Sequence, residues 1–547
     1  MTLLQFGTSL RAATAGATLA LMAFSAAPVF AATPNDVLVQ ALAIDDIITM
    51  DPGEAFELSA AEITGNTYNF LVRLDLADTS KVKGDLAESW TVSDDRLTYT
   101  FKLKPGMTFA SGNPITAKDV AYTFERAIKL DKSPAFILAQ FGLTGDTVAE
   151  KAKSVDDTTF VLTVDKAYAP SFVLNCLTAT VAAVVDQKLV TENAKPMTAT
   201  DDYKYDTDFG NEWLKTHSAG SGAFTLREWR ANELVVLERN PNFPGEVAKL
   251  GRVIYRHMKE SAGQRLALEA GDIDVARNLE PGDLDAVSKN GDLGVTNATK
   301  GTLYYFSMNQ KNENLSKPGV SEALKYLVDY DAIGSTLIKG IGEVHQSFLP
   351  KGVLGQLDEM PYKLDPAKAK ELLAKAGLPD GFSVTMDVRN TQPVTGIAES
   401  LQQTFAQANV KLEIIPGDGK QTLTKYRART HDMYIGEWGM DYFDPNSNAE
   451  TFTSNTDNAD TGTNKTLAWR NAWNVPELTA KTQAALLEND ADKRAEMYRE
   501  LQKSVLAEGP FGVIFQQIAV AGVRKNVKDY KLGPSFDTNY VFEVAKD

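Results

Sequence analysis

The chain has 547 residues, and its 56 basic and 72 acidic side chains give it a formal charge of −16. So acidic a chain excludes nucleic-acid binding through a general basic field, and a hydrophobic content of 43% excludes a disordered protein. The length exceeds that of one ordinary core and predicts two or three domains.

The first residues have the pattern of a secretory signal. Arg11 is the one charged side chain before Asn35, and an apolar run and PVFAA follow it. The pattern predicts a signal peptide over residues 1–31, cleaved after Ala31, and therefore a periplasmic chain whose charge without Arg11 is −17. A membrane anchor is the alternative, but the run is short and rich in alanine.

The next elements alternate between strands and helices. LTYTFKLK alternates apolar and polar side chains, which predicts a half-buried strand ending at the Pro105–Gly106 turn. Thr116 and Asp119 form a capping-box pattern and predict that a helix begins there. The apolar positions expected to be buried in these two elements are Leu97, Tyr99, Phe101, Leu103, Val120, Phe124, Ala127 and Ile128.

The cysteine content favours the same compartment. Cys176 is the single cysteine of the sequence, so no intramolecular disulfide can form. It lies in the apolar stretch SFVLNCLTATVAAVV, which predicts a buried and unreactive thiol. A large exported protein without disulfides must be held by its core, which suits the bacterial periplasm.

Two elements in the second half of the chain matter for the site. A helix is predicted to begin at Pro366, with Asp365 as its cap, and to end at Gly377. Its buried face is predicted to contain Leu372, Leu373 and Ala376. HDMYIG, which starts at His431, predicts a strand that leads into EWGMDYFDP, residues 437–445.

EWGMDYFDP places carboxylates among aromatic rings. A buried charge there is costly unless a positive group meets it. Two interpretations of Asp441 are open: it binds a cationic ligand, or it caps the next turn. Asp444 precedes Pro445 and is predicted to be structural.

Catalytic motifs are missing from the sequence. The four histidines have no metal-pair spacing, Ser221 lacks the flanking spacing of a nucleophile elbow, and no phosphate-binding loop is found. A calcium-loop spacing from Asp444 has Ala449 where glycine is required. The sequence therefore predicts a protein that is not an enzyme and has no metal and no cofactor, although a pair of glycosidase carboxylates stays open.

Long segments in a fixed order resemble one family, the extracellular solute-binding proteins of family 5, which are peptide-binding receptors of ABC importers. The segments that carry the resemblance are residues 86–127, 220–243, 319–352, 364–386 and 431–445. Together they extend over nearly the whole predicted mature chain.

The resemblance implies an α/β, two-lobed periplasmic-binding-protein fold with mixed sheets. A hinge joins the lobes, and an extra domain is inserted in the N-terminal lobe. The two crossovers are expected near Tyr304–Phe306 and Pro510–Phe515. The implied parts are lobe I (32–60, 206–303 and 515–547), the inserted domain (61–205) and lobe II (304–514).

The resemblance also implies a ligand site in the pattern Trp438, Gly439, Met440, Asp441. Asp441 matches the aspartate that receives a peptide's α-ammonium group. Trp438 would wall the pocket, with ordinary core packing as the alternative, and the Gly439 backbone could bond an extended peptide.

One departure concerns the arginine that some oligopeptide binders have three positions before the tryptophan. That position is Ile435 here, although Arg427 and Arg429 lie upstream.

The implied function is that of a monomeric periplasmic receptor. It would capture a di- or oligopeptide by lobe closure and deliver it to an inner-membrane ABC permease, with no nucleic acid involved. One alternative is the same role for an opine, an oligosaccharide or a nickel chelate. A secreted hydrolase is the alternative from another class, and the motifs it needs are missing.

Overall fold

The computed structural model describes residues 33–79, 81–200, 203–243, 246–462 and 465–547. The predicted signal peptide over residues 1–31 lies outside these ranges. Within them, no helix combines the length and the apolar character that a membrane span requires.

Strands and helices alternate along the described chain. The strands are β1 (Val37–Leu42), β2 (Val72–Leu74), β3 (Val82–Gly84), β4 (Ala87–Val92), β5 (Thr98–Leu103), β6 (Ala152–Asp156), β7 (Thr159–Thr163), β8 (Phe224–Arg230), β9 (Leu234–Arg239), β10 (Arg252–His257), β11 (Val275–Ala276), β12 (Leu293–Met308), β13 (Gly342–Val344), β14 (Phe382–Arg389), β15 (Val410–Gly417), β16 (Met433–Gly439), β17 (Phe511–Arg524), β18 (Val527–Lys528) and β19 (Ala545–Lys546). The α-helices are α1 (Leu58–Thr67), α2 (Ala117–Leu130), α3 (Phe136–Ala139), α4 (Val148–Lys151), α5 (Pro170–Cys176), α6 (Gln187–Glu192), α7 (Asn211–Leu214), α8 (Ser261–Ala270), α9 (Pro281–Lys289), α10 (Val320–Lys325), α11 (Tyr330–Ser335), α12 (Pro366–Lys375), α13 (Val394–Ala406), α14 (Gly419–Arg427), α15 (Pro445–Thr453), α16 (Leu467–Arg470), α17 (Pro476–Leu487) and α18 (Ala491–Glu508).

The largest sheet runs through the whole molecule in the order β15-β14-β16-β12-β17-β11-β1-β10-β9-β8, with β13 also paired to β17. The long strands β12 and β17 pair antiparallel from Leu293 opposite Arg524 to Ser307 opposite Phe511. β11 joins one end of β17, whereas β16 joins the other end of this pair through β12. The register of the pair shifts after Thr299, between these two attachments. β12 and β17 therefore connect the two groups of strands.

Apolar side chains form separate cores around this sheet. One core comes from residues 71–184, around the four-stranded sheet β4-β5-β7-β6, and also contains Tyr442. Another joins residues 38–63 and 223–275 with the segment 521–544. A third is built from side chains between residues 306 and 515.

The structure confirms most of the local predictions in the first half of the chain. Tyr99, Phe101 and Leu103 are buried on β5, whereas Leu97 precedes this strand and is only half-buried, so its predicted burial is wrong. Thr116 and Asp119 form the predicted capping box of α2. The buried positions that were predicted on α2 are Val120, Phe124, Ala127 and Ile128. The predicted burial of Cys176 is also confirmed.

In the second half, two predictions need small corrections. α12 begins at Pro366 under an Asp365 cap, but Leu372 and Ala376 on its predicted buried face are only half-buried. β16 begins two residues later than HDMYIG predicted, because His431 turns inward and its Nε2 lies 3.0 Å from the amide oxygen of Asn471.

A buried ion pair fixes the segment that follows the site. Asp444 caps α15 by accepting a hydrogen bond from the Asn446 backbone N–H at 2.9 Å, so its predicted structural role is confirmed. Arg494 of α18 donates to both carboxylate oxygens of Asp444 at 2.8 Å, and each side chain is 1% exposed. Arg494 also donates to the Ser171 hydroxyl at 3.1 Å, which joins α5 to the same cluster.

We expect Arg494→Gln to destabilise the protein strongly, because it leaves the Asp444 carboxylate buried without its cation. Losing one partner of such a pair costs about 3–5 kcal/mol. Arg499→Gln on the same helix is the control, since Arg499 forms an exposed pair with Glu496 and its loss costs about 1 kcal/mol or less. The midpoint of urea unfolding measures both. Equal midpoints for the two variants would contradict the structural role of the pair.

Candidate functional site

A cavity of about 570 Å³ opens beside the β12–β16 junction. Its volume lies in the range of small-ligand sites. The lining combines segments that are far apart in sequence, including the loop 534–538 near the C-terminus. These segments are residues 56–58, 178–180, 300–302, 437–443 and 534–538, and single positions that also line the cavity are Ala61, Leu74, Leu423, Arg427 and Arg470.

The end of β16 is pinned on both sides, and this places EWGMD on the cavity wall. Gly439 pairs with Thr302 of β12. The Met440 backbone N–H donates to the Gly301 carbonyl at 3.3 Å. The Asp441 backbone N–H then donates to the Ser447 hydroxyl at 2.9 Å. The chain leaves the strand in a fixed direction, and Trp438, Gly439, Met440 and Asp441 all line the cavity.

The Asp441 side chain has no capping role. Asp444 is the cap of α15, so the interpretation of Asp441 as a cap is wrong. Among the described residues, no hydrogen bond or ion pair reaches the Asp441 carboxylate. Desolvation by burial raises its pKa to about 7, and the neighbouring Glu450 adds to this while Arg470 opposes it. The carboxylate is therefore partly desolvated, and no cationic side chain of the described residues pairs with it.

Trp438 has one part in the core and another at the cavity. Its ring is half-buried and packs against the cluster that contains Tyr434 and Phe443. Its indole Nε1 is buried and has no hydrogen-bond partner within the described part of the chain. The Arg470 guanidinium lies 6.0 Å from the ring centroid. Trp438 therefore both packs in the core and lines the cavity.

Lys300 holds the C-terminal wall of the cavity. Its ammonium group donates to the carbonyls of Gly533 at 2.7 Å and Ser535 at 3.0 Å, and to the side-chain oxygen of Asn539 at 3.2 Å. Burial, with a smaller contribution from Arg277, lowers its pKa to about 7. These three bonds fix the loop 534–538 against β12.

Sequence reasoning missed much of this lining. Lys300, the loop 534–538 and the exposed Phe56 are distant in sequence from EWGMDYFDP, and no local pattern marks them. Arg470 follows a tryptophan in LAWRNAW, and an arginine among aromatic residues was the available signal. Of the two upstream arginines, Arg427 lines the cavity, whereas Arg429 is buried elsewhere.

Arg429 is paired away from the cavity, with Asp460 at 2.8 Å. Across the described ranges, no group of three or more histidine, cysteine or acidic side chains is arranged to hold a metal ion.

Residues 81–460 match the model of the bacterial extracellular solute-binding proteins, family 5 middle region. The chain belongs to this family. It is 26% identical over 524 residues to DdpA of Escherichia coli strain K12, described as a probable D,D-dipeptide-binding periplasmic protein, with 93% of each chain covered. It is also 26% identical over 524 residues to the glutathione-binding protein GsiB of Salmonella typhimurium, covering 92% of this chain and 95% of that one.

The fold is similar to that of a solved receptor. The structure is the ABC transporter-associated periplasmic binding protein DppA from Helicobacter pylori in complex with peptide STSA. The TM-score is 0.76 at 24% identity, over 93% of this chain and 98% of that chain. The predicted family and the two-lobed α/β fold are confirmed, and this member of the family is a solute-binding protein.

We expect Asp441→Asn to stabilise the unliganded protein. The pKa of Asp441 in the folded chain is about 7, above its ordinary value of 3.8. Protonation of Asp441 therefore stabilises the folded protein. This stabilisation is fully present below the pKa that Asp441 has in the unfolded chain, and it is lost as the pH rises through the pKa that it has in the folded chain. The variant should melt at a higher temperature than the parent, with a larger gain at about pH 8 than at about pH 5.

Differential scanning calorimetry at the two pH values measures this gain. Asp285→Asn is the control, because Asp285 is exposed on α9 and pairs with Lys289. A gain that is equal at both pH values, or larger at the lower one, would show that the Asp441 carboxylate is not strained by burial.

Proposed function

We propose that this chain is a periplasmic receptor that binds a short peptide between two lobes and delivers it to an ABC permease of the inner membrane. The observation that carries the proposal is the Asp441 carboxylate, which lines the cavity with a raised pKa and forms no ion pair with any cationic side chain of the described residues. The named binding of peptides and glutathione by its relatives supports the same class of ligand.

The proposed contact is an ion pair between Asp441 and the α-ammonium group of the peptide. The Asp441 side chain is half-buried at the cavity wall, and an ammonium group that displaces the remaining water there gains a strong charge-assisted hydrogen bond. The neighbouring Gly439 ends β16 and offers backbone groups to an extended peptide, as an added strand would use them. Trp438 and Met440 supply apolar surface on the same wall.

Lobe closure is proposed to use β12 and β17 as the two hinge segments. Lobe I would comprise residues 32–60, 206–303 and 515–547, with residues 61–205 as its inserted domain. Lobe II would comprise residues 304–514. The register shift after Thr299 interrupts the pairing of the two long strands between their outer attachments, and rotation there would close the cavity. A monomer suffices for this motion.

We expect peptides with a free amino group to raise the melting temperature of the mature protein. A ligand that binds only the folded state stabilises it with the logarithm of its concentration over Kd. The panel contains di-, tri- and oligopeptides, their N-acetylated forms, an opine, an oligosaccharide and a nickel–histidine chelate. Thermal shift assays should show a rise for free-amine peptides that N-acetylation abolishes. A rise with a non-peptide solute only would keep the receptor role and reject the peptide.

We expect Asp441→Asn to weaken the binding of a free-amine peptide. Losing one partner of a buried charge pair costs about 2–5 kcal/mol, which is roughly 30-fold or more in Kd. Isothermal titration calorimetry measures Kd for this variant and for Asp285→Asn, which should bind as the parent does. An unchanged Kd in Asp441→Asn would reject the ammonium contact.

The affinity for such a peptide should also fall on acidification. Because the pKa of Asp441 is about 7 in the free protein, the carboxyl group is mostly protonated below that pH and must release a proton when an ammonium group binds. Kd should rise by about tenfold from pH 8 to pH 6, and the rise should be lost in Asp441→Asn. If Kd of the parent protein did not change between pH 8 and pH 6, Asp441 would not be the group that binds the ammonium.

A further inference from the structure

Two arginines face the cavity beyond Asp441, and nothing in the proposed ammonium contact uses them. Arg427 ends α14 and Arg470 ends α16, and both line the cavity. The Arg470 guanidinium lies 5.5 Å from the ring centroid of Tyr426, the residue before Arg427. The two cations are therefore neighbours on one wall.

In the described part of the chain, no carboxylate forms an ion pair with Arg427 or Arg470, although Asp441 and Glu437 line the same cavity. Burial and then the charge of Arg470 lower the pKa of Arg427. Glu437, the acid on the neighbouring strand end, faces Arg389 instead, at 3.9 Å.

Ordinary surface roles account for only part of this arrangement. Each arginine lies in the last turn of its helix, where the carbonyl end of the helix favours a cation. The Arg470 Nε also donates to the Lys465 carbonyl at 3.2 Å. Helix ends are weak compensation for two adjacent guanidinium groups, which together remain suited to an anion.

Asp441, Arg427 and Arg470 line the same cavity. Arg470 lies near enough to Asp441 to oppose the rise of its pKa, and it also neighbours Arg427. A ligand in this cavity can therefore meet the Asp441 carboxylate and both guanidinium groups. The matching molecule has both an ammonium group and carboxylate groups.

We propose that Arg427 and Arg470 form a carboxylate subsite, so that the preferred ligand is a short peptide with an acidic side chain in addition to its carboxyl terminus. This inference rests on the proposed peptide-binding function. The two guanidinium groups offer more donors than one terminal carboxylate uses, because a single guanidinium already binds a carboxylate through two hydrogen bonds. The second arginine is therefore available for the side-chain carboxylate.

Calorimetric titration with Ala-Glu and Ala-Gln tests the subsite, since the two dipeptides match in shape and differ in one charge. The parent protein should bind Ala-Glu at least about tenfold more tightly than Ala-Gln. In Arg427→Gln this ratio should fall toward one while Kd for Ala-Gln changes little. Arg252→Gln is the control, because Arg252 is exposed on β10 and pairs with Glu238 there.

Two further experiments distinguish the terminal carboxylate of the peptide from its side-chain carboxylate. The C-terminal amide of Ala-Glu lacks only the charge of the terminal carboxylate. If Arg470 binds that carboxylate, Arg470→Gln should weaken the binding of Ala-Glu much more than the binding of its amide. Arg427→Lys retains the charge without the planar fork and should retain part of the preference for Ala-Glu. Its circular dichroism spectrum and melting temperature check that the variant folds.

Equal affinity of the parent for Ala-Glu and Ala-Gln would overturn the subsite. The proposed function would survive that result, provided that both dipeptides still require Asp441 and a free amino group. Failure of every peptide to bind would overturn both proposals. An Ala-Glu preference that persists unchanged in Arg427→Gln and Arg470→Gln would place the anion elsewhere and reject these two residues.

Discussion

The antiparallel pairing of β12 with β17 is the constraint on which the rest of the molecule depends. These strands are the central members of the largest sheet, and each carries a different group of strands at its outer side. The cavity opens where their register is interrupted, next to Lys300 and Gly301. A site at a junction between cores can use side chains from each of them, and it can change shape by a small rotation without repacking any core.

Asp441 and Asp444 show how environment sets the role of a carboxylate. They are three residues apart in one short segment, where Asp444 is buried and Asp441 is half-buried at the cavity wall. Asp444 has a bidentate arginine and a helix N-terminus, which satisfy its charge and make it structural. Asp441 has neither, and its pKa rises accordingly. An unmatched charge of this kind destabilises the empty protein and favours a ligand that supplies the opposite charge.

Local structure was predictable where neighbouring residues decide it. The alternation around Tyr99 and Phe101, the capping box at Thr116 and the proline start of α12 depend on contacts within a few residues, and each is present. The start of β16 was misplaced because the distant Asn471 determines the position of His431.

The site residues also differ in whether neighbouring or distant parts of the chain bring them together. Trp438, Gly439, Met440 and Asp441, which the resemblance implied as a contiguous motif, all line the cavity. Lys300, Arg470 and the loop 534–538 were missed, since only the fold brings them together. The resemblance supplied the family and the overall fold, which periodicity alone could not have given.

Tyr442 has a bearing on protein engineering. It follows Asp441 directly, yet its ring belongs to the core of residues 71–184 and meets Phe172 edge-on at a centroid distance of 5.8 Å. The region of residues 71–184 therefore cannot be removed without affecting the cavity wall. A shortened biosensor that lacks residues 71–184 would expose the Tyr442 ring to water and leave the backbone beside Asp441 without support. A minimal version of this receptor must therefore retain α5 and the residues packed around it.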